Sequence, residues 1–126
     1  MKMYSFSFEK LIAWQEARLL TKDIYKITKT FPDEERFGLT NQLRRAILSV
    51  CSNLAEGSSR AHSKEQTQFY QIAYSSLMES LNQIIISFDL EYIDLHLYEI
   101  IRSDVEKCSR LINSLRNSTK KIVHKD

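Results

Sequence analysis

The residue types that carry catalysis are present in this chain, but their spacing does not suit it. There are three histidines, His62, His96 and His124. A di-metal carboxylate site in a helical bundle needs inward-facing Glu-x-x-His pairs, and the residues three positions before these histidines are Ser59, Ile93 and Lys121. Cys51 and Cys108 show no CxxC or Cys/His spacing, so they read as buried, reduced thiols. Ser49 and Ser76 have no histidine on a neighbouring helix face to serve as base. No glycine-rich phosphate loop occurs. The spacing therefore predicts no catalytic residue, no metal and no cofactor.

A different kind of chemistry is suggested between Gly38 and Arg60, GLTNQLRRAILSVCSNLAEGSSR. Leu39, Leu43, Ile47, Val50 and Leu54 recur every three or four residues, the stripe of a helix facing a core. Beside them Gln42, Arg45, Ser49, Asn53, Glu56 and Arg60 follow the same period and share a second face. Small polar groups mixed with two arginines and one glutamate suit hydrogen bonding against other protein; the competing reading is a solvated helix face. With Trp14, Gln15 and Glu79, this stripe is expected to form a structural polar network. Glu56 should accept a hydrogen bond from Trp14, Gln15 or the cap region of its own helix. Arg45 should pair with Glu79 inside the protein, because a lone buried carboxylate is costly.

The elements that must position these residues are helices. Two glycines and one proline in 126 residues leave too few turns for a β-rich fold. Apolar periodicity places helices at about 9–31, 38–57, 63–89 and 94–120, with a basic tail over 120–126, all within one domain spanning 1–126. Pro32 stops the first helix. Asp33–Arg36 reads as one turn, Gly57 as a left-handed C-cap, and Ser63 with Gln66 as a capping box. Tyr4, Phe6 and Phe8 alternate with serines, as a short extended arm or, the preferred reading, a hydrophobic lead-in to the first helix. The break around Glu91–Asp94 contains neither Gly nor Pro. Short links between four amphipathic helices imply an all-α, antiparallel up-down-up-down four-helix bundle, roughly 30–40 Å long. No signal peptide or membrane span is evident, so a soluble cytoplasmic protein is expected.

The third helix does not suit a lone bundle. From Thr67 to Phe88 the single charge is Glu79, whereas a wet face normally carries many. Gln68, Gln71, Tyr74, Ser75, Asn82 and Ile86 are therefore candidates for an interface with further copies of the chain. Net charge is +2 with a pI near 8.5, far from the footprint of a dedicated DNA binder. Clustered cations can still hold phosphate, and Arg36, Arg44, Arg60, Lys64, Lys120, Lys121 and Lys125 are the candidates.

The run FPDEERFGLTNQLRRAILSVCSNLAEGSSR resembles the signature of the 23S rRNA-intervening-sequence proteins. Phe31-Pro32, Glu35, Gly38-Leu39, Gln42, Arg45-Ala46, Ser49, Asn53, Ala55-Glu56-Gly57 and Arg60 carry the likeness. Leu11, Trp14-Gln15, Ala17, Ile24-Tyr25 and Thr28 extend it upstream, and Phe69, Ala73, Ser76-Leu77 and Glu79 downstream. Ser75 departs from it, since the family commonly has Gly there, and the fourth helix matches only in its apolar pattern. The resemblance implies a bundle that assembles into a ring, commonly a homopentamer, with no enzymatic activity. Some members are encoded within insertions in 23S rRNA genes, and a related accessory protein of diversity-generating retroelements is a basic pentameric barrel that binds nucleic acid. The expected function is a non-enzymatic homo-oligomer with weak RNA or DNA binding through a basic face. The alternative is a scaffold oligomer that docks another protein and binds no nucleic acid.

Overall fold

Apolar residues three and four apart bury one face of each helix, and the chain closes around those faces. The computed structural model describes residues 1–125, with side chains as far as Ile122. Its helices are α1 (Ile12–Thr28), α2 (Leu39–Ser59), α3 (Ser63–Asp89) and α4 (Leu95–Lys125), and the described residues include no strand. The core joins Ala17, Leu20 and Ile24 of α1 to Ile47, Val50 and Leu54 of α2, Ala73, Leu77 and Ile84 of α3, and Val105, Cys108 and Ile112 of α4. No helix is long and apolar enough to cross a membrane among the described residues.

The first helix starts later than its periodicity suggests. Ser7–Lys10 forms a separate 3-10 turn, and Leu11 is extended before α1 begins. The Glu9 carboxylate holds that turn by accepting the Phe6 N–H at 2.7 Å. Phe8 then packs edge-on against Trp14, with ring centres 5.0 Å apart. α1 ends at Thr28, and Asp33–Glu35 makes a 3-10 turn before α2.

Gly57 is not a left-handed cap. α2 runs through it to Ser59, and no glycine has a positive φ. Gly57 is buried against α3: a β-carbon there would lie 2.7 Å from Tyr70 Cε1 and 2.9 Å from Phe69 Cβ. The capping box is also displaced. The extended N-cap is His62, Ser63 is already helical, and the Gln66 amide donates to the Arg60 carbonyl at 3.1 Å.

The link from α3 to α4 turns without glycine because Glu91 adopts φ 64°. The Tyr92 N–H reaches the Ser87 carbonyl and the Glu91 N–H the Phe88 carbonyl, both at 2.9 Å; this pair of bonds satisfies the last carbonyls of α3. Ile93 is buried in the core, and Asp94 caps α4 by accepting the Leu97 N–H at 2.8 Å. The Tyr92 hydroxyl donates to Glu35 Oε2 at 2.9 Å, which ties this link to the one before α2.

Contacts step down one helix as they step up its neighbour. Thr21 meets Cys51 and Thr28 meets Arg44 between α1 and α2. Gly57 meets Tyr70 and Ser49 meets Ser76 between α2 and α3. Arg116 lies over Tyr74, and Tyr98 stacks on Phe88, between α3 and α4. Lys107 pairs with Glu16 at 3.0 Å across α4 and α1.

Candidate functional site

The polar stripe of α2 divides into an inner and an outer part. Ser49 and Ser76 hydroxyls hydrogen-bond each other at 2.9 Å, and the Asn53 amide donates to the Ser49 carbonyl and hydroxyl at 2.8 and 3.1 Å. The Ser49–Ser76 bond crosses from α2 to α3, and Asn53 supports Ser49 from within α2. Gln42, Arg45, Glu56 and Arg60 are exposed.

Two expected pairings are corrected. Glu56 accepts no hydrogen bond from Trp14 or Gln15; it is exposed, and of the expected partners only the cap residue Arg60 comes near, as an ion pair at 3.7 Å without a hydrogen bond. The Ser7–Lys10 turn is the cause, because it occupies both residues: the Gln15 amide donates to the Glu9 carbonyl at 2.8 Å, and Trp14 packs on Phe8. Arg45 and Glu79 do line one cleft between α2 and α3, with Gln42, Ala46 and Ser49, about 280 Å³ in volume. The cleft is open and both side chains are exposed. Neither belongs to any of the three ion pairs among the described residues, Arg60–Glu56, Arg102–Glu106 and Lys107–Glu16. Water solvates each charge separately, so nothing forces them together within one chain.

The arginines follow a rule of their own. Of the eight in the chain, six lie over an aromatic ring: Arg18 on Trp14, Arg36 on Phe37, Arg44 on Tyr25, Arg60 on Phe69, Arg102 on Tyr98 and Arg116 on Tyr74. Arg44 is the most committed. It donates to Thr28 Oγ1 at 2.8 Å and to the Tyr25 carbonyl at 3.2 Å, so it joins α1 to α2 and is not a free phosphate ligand. Arg36 is exposed before α2 and far along the bundle from Lys64. Lys64, Lys120 and Lys121 are exposed, and the side chain of Lys125 lies outside the described residues. Lys10, not singled out by the sequence, lies across a groove from Ser118, two residues before Lys120. Its place follows from the Ser7–Lys10 turn, which no periodicity reveals.

On α3, Gln68, Gln71, Ser75, Asn82 and Ile86 are exposed. Tyr74 is not: it packs against the core with Arg116 over its ring at 4.9 Å. Ile72, which sequence reasoning passed over, is 48% exposed. It precedes Glu79 by seven residues as Ile86 follows it by seven, so all three lie on one line of the helix.

Burial disfavours the thiolate at both cysteines. Burial, reinforced by Glu16 and Asp104, pushes Cys108 up to about 12. Burial also raises Cys51, against its hydrogen bond with Thr21. Asp104 is raised by burial and by Asp23 and Glu16 beside it. Among the described residues no group of three or more His, Cys, Asp or Glu side chains is placed to hold a metal ion.

The family model of the 23S rRNA-intervening sequence protein matches residues 9–114. The chain belongs to this family. The matched span holds the α2 stripe and the whole outer line of α3, and it stops short of Lys120 and Lys121. The fold is shared with a protein of unknown function from the S23 ribosomal protein family of Bacteroides thetaiotaomicron, at a TM-score of 0.77 and 19% identity over 83% of this chain and 98% of that one. At that identity the likeness speaks for the fold alone. No curated protein matches the chain.

Proposed function

We propose that this member of the 23S rRNA-intervening sequence protein family is a non-enzymatic bundle whose helices alternate in direction and whose role depends on self-association. The contacts that step in opposite senses along neighbouring helices support the up-down-up-down topology. The observation that carries self-association is the outer line of α3, where Ile72, Ser75, Glu79, Asn82 and Ile86 are exposed and Glu79 is the single charge from Thr67 to Phe88. Charge depletion with exposed isoleucine is the composition of an interface core. A ring of five subunits is the form of assembly that the family resemblance suggests. Two free, unpaired cysteines fit a reducing compartment such as the cytoplasm. Light scattering at micromolar concentration tests the reading: a mass several times 14.8 kDa supports it, and a monomer refutes it.

A second reading, weak nucleic-acid binding, is favoured by the exposed lysines Lys10, Lys64, Lys120 and Lys121 at the same end of the bundle as Arg60. Each copy in a ring would add to their field. A gel shift with RNA or duplex DNA should weaken steeply with salt, and replacing Lys64, Lys120 and Lys121 by Gln should lower the log–log salt slope by about 2–3. No shift at low salt would leave the scaffold reading, an oligomer that docks another protein.

A further inference from the structure

The two charges that share the α2–α3 cleft are an unmatched pair within one chain and a matched pair between two. Among the described residues Arg45 lies over no aromatic ring and in no ion pair, unlike Arg60 further along the same stripe. Glu79 likewise has no cation within ion-pair distance among the described residues. It sits midway between Ile72, 48% exposed, and Ile86, 40% exposed. Ser75 and Asn82 fill the line between them, and neither is bulky enough to hold an approaching surface away.

This arrangement has the form of a contact: two apolar anchors about 21 Å apart along the helix, with one carboxylate at the centre. A fully desolvated carboxylate needs a cation. The cleft beside it presents an unengaged guanidinium, whose planar fork can take a carboxylate with two parallel bonds. Water-excluding residues around a central charged pair strengthen it.

We infer that in the assembly Glu79 of one copy pairs with the partner subunit's Arg45, while Ile72 and Ile86 seal the contact on either side. This rests on the self-association proposed above and names the pairing that sets its register. Charge complementarity selects a second copy as the occupant, because both halves of the pair lie on the face being covered.

The test uses charge reversal, Arg45→Glu and Glu79→Arg, with the full chain sized by light scattering and its helix content read by circular dichroism. Both residues are exposed, so each variant should keep wild-type helicity, while melting falls only as far as the lost association lowers it. Each reversal alone sets like charges face to face, and association should weaken at least about tenfold. Mixing the two folded single variants should recover much of the association: each contact between unlike variants pairs opposite charges, and a five-membered ring then keeps only one like-charged contact. A pairing inside one chain predicts no rescue on mixing. If wild type assembles and neither reversal weakens it, or mixing rescues nothing, the pairing is overturned while self-association stands. If wild type is monomeric, both fall. The neutral variants Glu79→Gln and Arg45→Met check for folding defects: smaller losses than the reversals support the pairing, and equal losses with reduced helicity overturn it.

Discussion

Replacing Gly57 by alanine should destabilise the fold, although it removes a glycine from a helix interior. Helix propensity alone favours alanine by about 0.8–1.0 kcal/mol. Against that, the new β-carbon would stand 2.7 Å from Tyr70 Cε1, 2.9 Å from Phe69 Cβ and 3.0 Å from Tyr70 Cδ1. Carbon atoms rest near 3.5 Å, so the overlap is about 0.8 Å at worst. Neither neighbour yields easily, because Tyr70 is 3% exposed and a β-carbon moves only with its backbone. Overpacking of this kind costs about 1–3 kcal/mol, which leaves a net loss of about 1 kcal/mol. Urea unfolding at one fixed protein concentration should show a lower midpoint with an unchanged slope, and the melting temperature should fall by about 4 °C. In a Tyr70→Leu background the same alanine should cost less, giving a coupling of about 0.5–2 kcal/mol. A gain in stability from Gly57→Ala in the wild-type background would refute the close approach of α2 and α3.

Glu91→Gly should raise stability by about 1 kcal/mol, because Glu91 holds φ 64° and a side chain there is strained; a lower melting temperature would contradict this. Arg44→Met should cost about 1–3 kcal/mol through the lost bonds to Thr28 and Tyr25 and leave any low-salt nucleic-acid shift as in wild type. A lost shift in a folded variant would put Arg44 on the binding face. Cys108 ionises near 9.0 when unfolded and at about 12 when folded, so its contribution is full below pH 9 and is lost as pH rises toward 12. Denaturation midpoints should therefore fall over that range, and less so in Cys108→Ala; equal slopes would count against burial as the cause.

Much of the fold could be read from one dimension. The two stripes of α2 are local statements, and so is the charge gap from Thr67 to Phe88, since absence of charge needs no partner to be seen; the stop at Pro32 is misplaced, since α1 ends at Thr28. What could not be read depends on a second chain segment. A glycine near a helix end looks the same whether it caps the helix or admits Tyr70. The turn at Glu91 has no glycine to announce it and is held by Tyr92 bonding to Glu35 and by burial of Ile93. Glu56 lost its expected donors to a short turn at Ser7–Lys10 that carries no period. The shared cleft of Arg45 and Glu79 follows from helix register, but its openness does not. Tyr74 shows the same limit, because spacing cannot tell an exposed ring from one covered by Arg116.

The three-residue link Arg60–His62 between α2 and α3 bears on the order in which the chain folds. Closing so short a loop costs little entropy, and the seam from Gly57 to Ser49 can zip outward from it. This hairpin should be the nucleus, with φ-values well above those of Val105 and Ile112 on α4, a contrast that folding and unfolding rates of conservative variants would measure. During synthesis α4 arrives last. Until it leaves the ribosome, the inner side of α3 around Leu77, Ile84 and Phe88 has no cover from Tyr98 and Ile101. In that interval two nascent chains can meet through the wrong side of α3, so slow translation of the last helix would favour aggregation.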